Sequence, residues 1–280
     1  MAKHRRAWSQ ETFNHYVKEG RGKGRGKEYK PWITIHDFAS QGRSHRALGW
    51  KAGRVQHFMS DHEMRFLFLL DWADSVIDVR EQFPLVEYEI TQEIAKDMGV
   101  KHPTDNASGF PYVLTTDFLV SMYSEGKTVE VARTIKPTIE LEKARVAEKF
   151  EIERRYWLAK GVDWGIVTEH EVPRHLAKNI EVVHSSYRLE ATPEMDVPNL
   201  LLLARTLKDR LRVGNGSITS VTTKLDADMN LSVGTSLTVF KHLIAHKEVT
   251  LDMTEKLNFT RSVKTIKAIA ADSSYEAISA

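Results

Sequence analysis

The chain has 280 residues, 41% of them hydrophobic, enough for one large domain or two ordinary ones with real cores. It contains no cysteine, which excludes disulfides, cysteine-ligated zinc, iron–sulfur clusters and thiol catalysis and leaves carboxylates, histidines and lysines to carry any chemistry. No run of eighteen apolar residues occurs, and the basic start "MAKHRRAW" has no apolar stretch behind it, so a soluble, cytoplasmic protein with no membrane partner is expected.

The net charge of +2 conceals an asymmetry: residues 1–50 hold 11 Lys and Arg against 4 Asp and Glu, leaving 29 against 34 for the rest. Within that basic start lies "EGRGKGRGKEYKPW", where Arg21, Lys23, Arg25 and Lys27 alternate with glycines that let a backbone approach a ligand closely. Such a stretch suits nucleic-acid phosphates, which release condensed counterions when basic groups bind. It also reads as a disordered basic tail. Tyr29, Trp32 and a strand-like "WITIHDF" follow at once and tie it to a fold, and "GRSHR" repeats the pairing of glycine and cation with Arg43 and His45.

Farther along, "SDHEMRFLFLLDWAD" predicts a helix with Ser60 as N-cap and Met64, Leu67, Phe68 and Trp72 on its apolar stripe. "VIDVREQFPL" reads as a strand and "EITQEIAKDMGV" as a helix. "YVLTTDFLVSMY" and "VEVARTIKPTIE" read as two strands joined by "SEGKT" into an antiparallel hairpin. A charged helix, "EKARVAEKFEIERRYWLAKG", ends at Gly161, and "DWGIVTE" forms another strand. This order predicts an α/β domain over residues 1–172, a mixed sheet with helices packed on it. After "EHEVPRH" the texture changes to three short helical segments and a strand-like "VTLDMTEKLNFT", the pattern of a smaller winged helix-turn-helix domain over 173–280.

Alternation on the hairpin raises a question about its last inward position. Val129, Val131, Arg133 and Ile135 fall on one face; Glu130, Ala132, Thr134 and Lys136 fall on the other, and Pro137 stops the ladder. A lysine so placed is either a solvated strand end or needs an anion. Asp117, sharing a face with Thr115 and Leu119, is brought beside Thr134–Lys136 by the hairpin. An Asp on one strand, a Lys ending the next and an acid on a preceding helix is the PD-(D/E)xK nuclease pattern. Mg²⁺ takes hard oxygen ligands there, and the lysine orients water or offsets phosphorane charge. Glu63 is the helix acid, although "SDHE" is equally a capping box. Glu153 in "EIERRYW" lies on a helix that covers the sheet, or is a solvated residue of a charged helix.

These residues carry a resemblance. "EGRGKGRGKEYKPWITI", "GRSHR", "KAGRVQHFMSDHE", "VIDVREQFPL", "KHP", "TTDFLV", "IKP" and "EIERRYW", in this order across residues 19–157, resemble the TnsA family. Its members are endonuclease subunits of heteromeric Tn-seven-like transposases. The resemblance implies a restriction endonuclease-like domain followed by a winged helix. It implies Mg²⁺-dependent cutting of the non-transferred strand at transposon 5′ ends, on double-stranded DNA, alongside a TnsB-like DDE transposase that acts at the 3′ ends and a TnsC-like ATP-dependent regulator. It assigns Glu63, Asp117 and Lys136 to catalysis and places a family glutamate at Glu153. Where the family pattern carries Gln, this chain has Thr134, counted with the catalytic residues because its hydroxyl can accept from a metal-bound water or ligate weakly, with a shorter reach; the neighbouring Ile135 carbonyl supplies a metal ligand regardless of side chain. A free-standing restriction-type or repair nuclease, and a non-catalytic DNA-binding assembly factor, are the other readings.

Overall fold

The computed structural model describes residues 8–37, 43–189 and 196–271. The start "MAKHRRA" and Gly42 of "GRSHR" lie outside them. Two compact units are present, Met1–Val172 and Pro173–Ala280.

The first unit opens with α1 (Gln10–Lys18), capped by Ser9, and a 3₁₀ turn at Gly26–Glu28. A short hairpin of β1 (His45–Leu48) and β2 (Val55–Phe58) leads into α2 (Asp61–Trp72). Then come β3 (Val76–Pro84), α3 (Tyr88–Asp97), β4 (Thr115–Ser124), β5 (Lys127–Ile135), α4 (Thr138–Leu141), α5 (Ala144–Ala159) and β6 (Asp163–Val167). The sheet runs β3-β4-β5-β6. Its first two pairings are antiparallel and β5 lies parallel to β6, as a strand–helix–strand connection through α5 demands. The sheet is thus mixed, as expected.

The β4–β5 turn is fixed by Glu125 and Gly126, both at positive φ (50° and 80°), between the paired Ser124 and Lys127. Two left-handed residues in a two-residue loop match the right-handed twist of the strands. On one face Leu85, Leu119, Ala132, Tyr156 and Trp157 form a core against α3 and α5. On the other, Phe118 stacks on Phe58 at 5.9 Å and meets Phe66 of α2 edge-on at 5.4 Å. Leu67 and Phe68 are buried as the helical stripe predicts.

One expectation fails here. Residues 32–37 of "WITIHDF" form no strand: Asp37 accepts from both the Thr34 N–H and its hydroxyl, closing a turn, while Trp32 is buried among Trp8, Phe13 and Tyr16. Two glycines of the basic segment, Gly22 and Gly24, are packed closely within the chain. A Cβ on Gly22, at φ 78°, would stand 2.3 Å from the Pro84 ring, so only glycine lets this loop lie against β3.

The second unit holds α6 (Arg174–His184), which the sequence reading missed, and α7 (Val197–Val213), α8 (Ile218–Asp228) and α9 (Thr235–Ala245). Asp226 accepts from the backbone N–H groups of Gly234 and Ser236, each at 2.7 Å, and so ties the end of α8 to the start of α9. Of the strand-like "VTLDMTEKLNFT" only Val249–Thr250 (β7) forms a ladder, with Ala268–Ile269 (β8). Asp252 and Asn258 each accept from the backbone two residues on, which turns the segment between. Among the described residues no helix is long and apolar enough to cross a membrane.

Candidate active site

Ser60 Oγ accepts from the Glu63 N–H at 3.2 Å, and the Glu63 carboxylate accepts from the Met59 N–H at 2.9 Å and the Ser60 hydroxyl at 2.8 Å. The cap and the acid are therefore the same side chain, because Glu63 also faces the sheet. Its Oε2 accepts from Gln82 Nε2 at 3.3 Å, and that nitrogen donates equally to Asp117 Oδ1 at 3.3 Å. Asp117 Oδ2 accepts from the Ile135 N–H at 2.7 Å. A residue of α2, one of β3, one of β4 and the end of β5 thus meet through hydrogen bonds.

Strict alternation puts Asp117 and Thr134 on one face, but their partners differ. Thr116 donates to Glu153 at 2.6 Å and accepts from the Trp157 indole at 2.7 Å, both on α5, whereas Phe118 packs toward α2. Residues two apart on a regular strand share a face, so the pleat is broken at Asp117. Thr134 turns to Glu153, donating to its Oε1 at 2.5 Å. Trp164 Nε1 completes the set at 2.9 Å. Of the two readings of Glu153, a solvated residue of a charged helix or a residue of the face that covers the sheet, the second holds: it is buried and accepts three hydrogen bonds.

The electrostatics follow from burial. Desolvation and then the Asp117 charge push the Glu63 carboxyl above the usual carboxylate range. Asp117 is also raised, burial outweighing the Ile135 N–H, the Gln82 amide and the Lys136 charge. Glu153 is pushed up to about 7 by burial, against the pull of its three donors.

Lys136 follows β5, with its N–H bonded to the Val167 carbonyl at 3.0 Å. Among the described residues its ammonium makes no ion pair, and its charge acts on Asp117. Lys149 of α5, also without an ion pair among them, has its ammonium pushed down by burial first and then by Arg145 and Lys136. Lys149, Arg145 and Lys136 thus act on one another as neighbouring cations, and Lys136 acts on Asp117. Lys149 and Gln82 escaped the sequence reading: nothing local marks either, and their roles come from distant partners.

The basic segment divides. Arg21 lies over the Tyr16 ring at 3.6 Å and bonds Asp37, Glu19 and the Trp32 carbonyl, which makes it a packing residue. Arg25 bonds Glu130 at 2.7 Å and Ser121 at 3.0 Å. His45 is engaged by Asp61 at the start of α2. Lys23, Lys27 and Arg43 are exposed, and among the described residues they make no ion pair.

No group of three or more His, Asp or Glu side chains stands in metal-ligating geometry among the described residues. The donor chemistry nevertheless fits a hard ion. Two buried carboxylates share one neutral donor, and Mg²⁺ is commonly held by one or two carboxylates, with water and substrate phosphate filling its other positions.

A mixed sheet flanked by helices, with two carboxylates and a lysine assembled over its central strands, has the architecture of the restriction endonuclease-like class. The model described as TnsA-like endonuclease N terminal matches residues 73–169, and that described as TnsA endonuclease C terminal matches 171–253. The chain is also 38% identical over 246 residues to the transposon Tn7 transposition protein TnsA of Escherichia coli, across 88% of this chain and 87% of that one. It belongs to the TnsA family and is a transposition endonuclease. Asp117, Thr134, Lys136 and Glu153 fall within the N-terminal match; Glu63 precedes it.

Proposed function

We propose that this chain is a Mg²⁺-dependent endonuclease that cuts the non-transferred strand of double-stranded DNA at transposon 5′ ends. In this reading it works in the cytoplasm beside a TnsB-like DDE transposase and a TnsC-like ATP-dependent regulator. The observation that carries the reading is the convergence of Glu63 and Asp117 on one amide, with the charge of Lys136 acting on Asp117 and, among the described residues, no ion pair to neutralise that lysine.

Glu63, Asp117 and the Ile135 carbonyl would hold the ion. When bound, Mg²⁺ supplies Lewis acidity to a phosphate oxygen and acidifies water. The chain's own groups do the rest. Lys136 binds a phosphate oxygen and offsets the charge that develops on it, and this is the anion a strand-end lysine requires. The Ile135 N–H fixes the orientation of Asp117. Lys149 and Arg145 extend the cationic surface along α5, and Lys23, Lys27 and Arg43 add exposed charge that positions the DNA backbone without reading its sequence.

Thr134 does not act at the ion in this reading. Its hydroxyl and that of Thr116 hold Glu153, which pins the ends of β4 and β5 to α5. The second unit reads as a winged helix, with α8, the Asp226-tied turn and α9 as its helix-turn-helix and the β7–β8 ladder as its wing.

The test is strand-specific nicking of end-containing DNA by the reconstituted transposase carrying Asp117→Ala. Loss of 5′ cleavage with assembly retained is expected. Nicking at the wild-type rate overturns the assignment.

A further inference from the structure

Gln82 lies inside β3 yet has φ 48°, a left-handed conformation that a non-glycine residue adopts only under constraint. The constraints are visible. Its carbonyl accepts from the Trp32 N–H at 3.2 Å, and its Oε1 accepts from the Thr115 hydroxyl at 3.3 Å. What the strained backbone delivers is an amide nitrogen placed between Glu63 Oε2 and Asp117 Oδ1. The orientation of that amide follows from its surroundings. The Thr115 hydroxyl takes Oε1, which turns Nε2 toward the two carboxyl groups. The side chain is 4% exposed and has no solvent-facing alternative.

Building on the nuclease reading, we infer that Gln82 is the positioning residue of the acidic pair. Its amide N–H₂ occupies the place between Glu63 and Asp117 that a divalent cation takes, and it yields those hydrogen bonds when the cation binds. Two buried carboxyl groups this close resist carrying two charges at once, and one neutral donor shared between them holds both without supplying a charge. A cation in its place would have made the pair permanently occupied, and an apolar side chain would have left it unrelieved. Both hydrogen bonds are long, as suits a donor that must be displaced.

The experiment uses the full chain, stripped of metal, with Mg²⁺ alone as the probe. Gln82→Met keeps the volume and the backbone constraint but removes the donor. Its metal-free melting temperature should fall while Mg²⁺ affinity, measured by calorimetry, rises about fivefold. That factor corresponds to about 1 kcal/mol of competing hydrogen bonding removed. In a Glu63→Gln background the same substitution should cost far less melting temperature, because one of the two carboxyl groups that the amide bridges is already gone.

A merely structural residue would lower the melt and leave the Mg²⁺ affinity alone. That result, or weaker binding, overturns the inference. If Gln82→Met is too unstable to purify, Gln82→Asn retains an amide one methylene shorter that reaches a single carboxylate, and tighter Mg²⁺ binding is again expected. Asp117→Asn separates the two layers of the reading. Undiminished Mg²⁺ binding in that variant defeats the metal assignment itself, whereas lost binding there with unchanged affinity in Gln82→Met defeats only the role of Gln82.

Discussion

Replacing Thr134 by Val removes one hydroxyl and almost nothing else, so it isolates the bond that holds Glu153. The donor sits 2.5 Å from Glu153 Oε1 in a site closed to water. Valine has nearly the shape of threonine, so no cavity opens, and the penalty is the lost hydrogen bond alone. With Glu153 ionised that bond contributes about 2 kcal/mol; with Glu153 protonated it is a neutral bond of about 1 kcal/mol or less. The two regimes are separated by pH. Glu153 has a folded pKa of about 7, above the ordinary 4.5, so its contribution to stability is full below 4.5 and is lost as pH climbs from there through 7. Removing a donor raises the folded value further and widens that loss. Urea unfolding followed by tryptophan fluorescence, at about pH 5 and about pH 8.5, should show the Thr134→Val penalty roughly doubling at the higher pH. An equal penalty at both, or a larger one at the acidic value, would refute the account of Glu153 as a buried carboxylate held by donors.

Lys136→Ala should lower cleavage on the order of 10²- to 10³-fold with the melt unchanged, whereas Lys149→Ala should weaken DNA binding first, as gel-shift titration and nicking rates measured together would show. Lys23→Ala with Lys27→Ala should flatten the slope of log affinity against log salt by roughly two phosphate equivalents, while Arg21→Ala should leave that slope alone and cost about 2 kcal/mol of stability, since Asp37 loses its ion-pair partner and keeps only the Thr34 and Tyr16 donors. In the second unit, His242 has its pKa pushed down to about 4 by burial and then by His246, so the stability it confers is full above 6.5 and is lost as pH falls toward 4. Circular dichroism melts should show that loss, up to about 3 kcal/mol, and His242→Gln should flatten it.

The hairpin of β4 and β5 was legible because two period-2 runs flank a turn, and α2 because a capping residue precedes an apolar stripe at helical spacing. Both signals are local. Asp117 and Lys136 could be placed from them, since a hairpin register follows from its loop. The break in the pleat at Asp117 could not, because it arises where Thr116 is drawn to Trp157, 41 residues away. Gln82 was invisible for the same reason: a glutamine inside an apolar strand carries no sign that its backbone is left-handed or that two carboxylates await its amide. The partners of the charged residues of β3 were out of reach for the same reason. Arg80 and Glu81 are both buried, Arg80 against Glu130 and Glu81 in a fork from Arg54 at 2.7 and 2.5 Å. Arg21 and Arg25 resembled free phosphate ligands because their carboxylate partners, Asp37 and Glu130, come later in the chain.

The fastening of the amino-terminal segment has a consequence for the order in which the protein is made. Trp8 donates to the carbonyl of Pro111, 103 residues on, and Arg25 reaches Glu130, 105 residues on. Both partners are made about a hundred residues after the groups they hold, so Trp8 and Arg25 cannot take up these bonds until the segments carrying Pro111 and Glu130 have left the ribosome. A stretch made before its partners therefore settles only after them. During that interval its indoles and guanidinium groups are open to chaperones and to polyanions, which a pulse-labelled nascent chain halted before residue 111 would reveal by its protease sensitivity over residues 8–32.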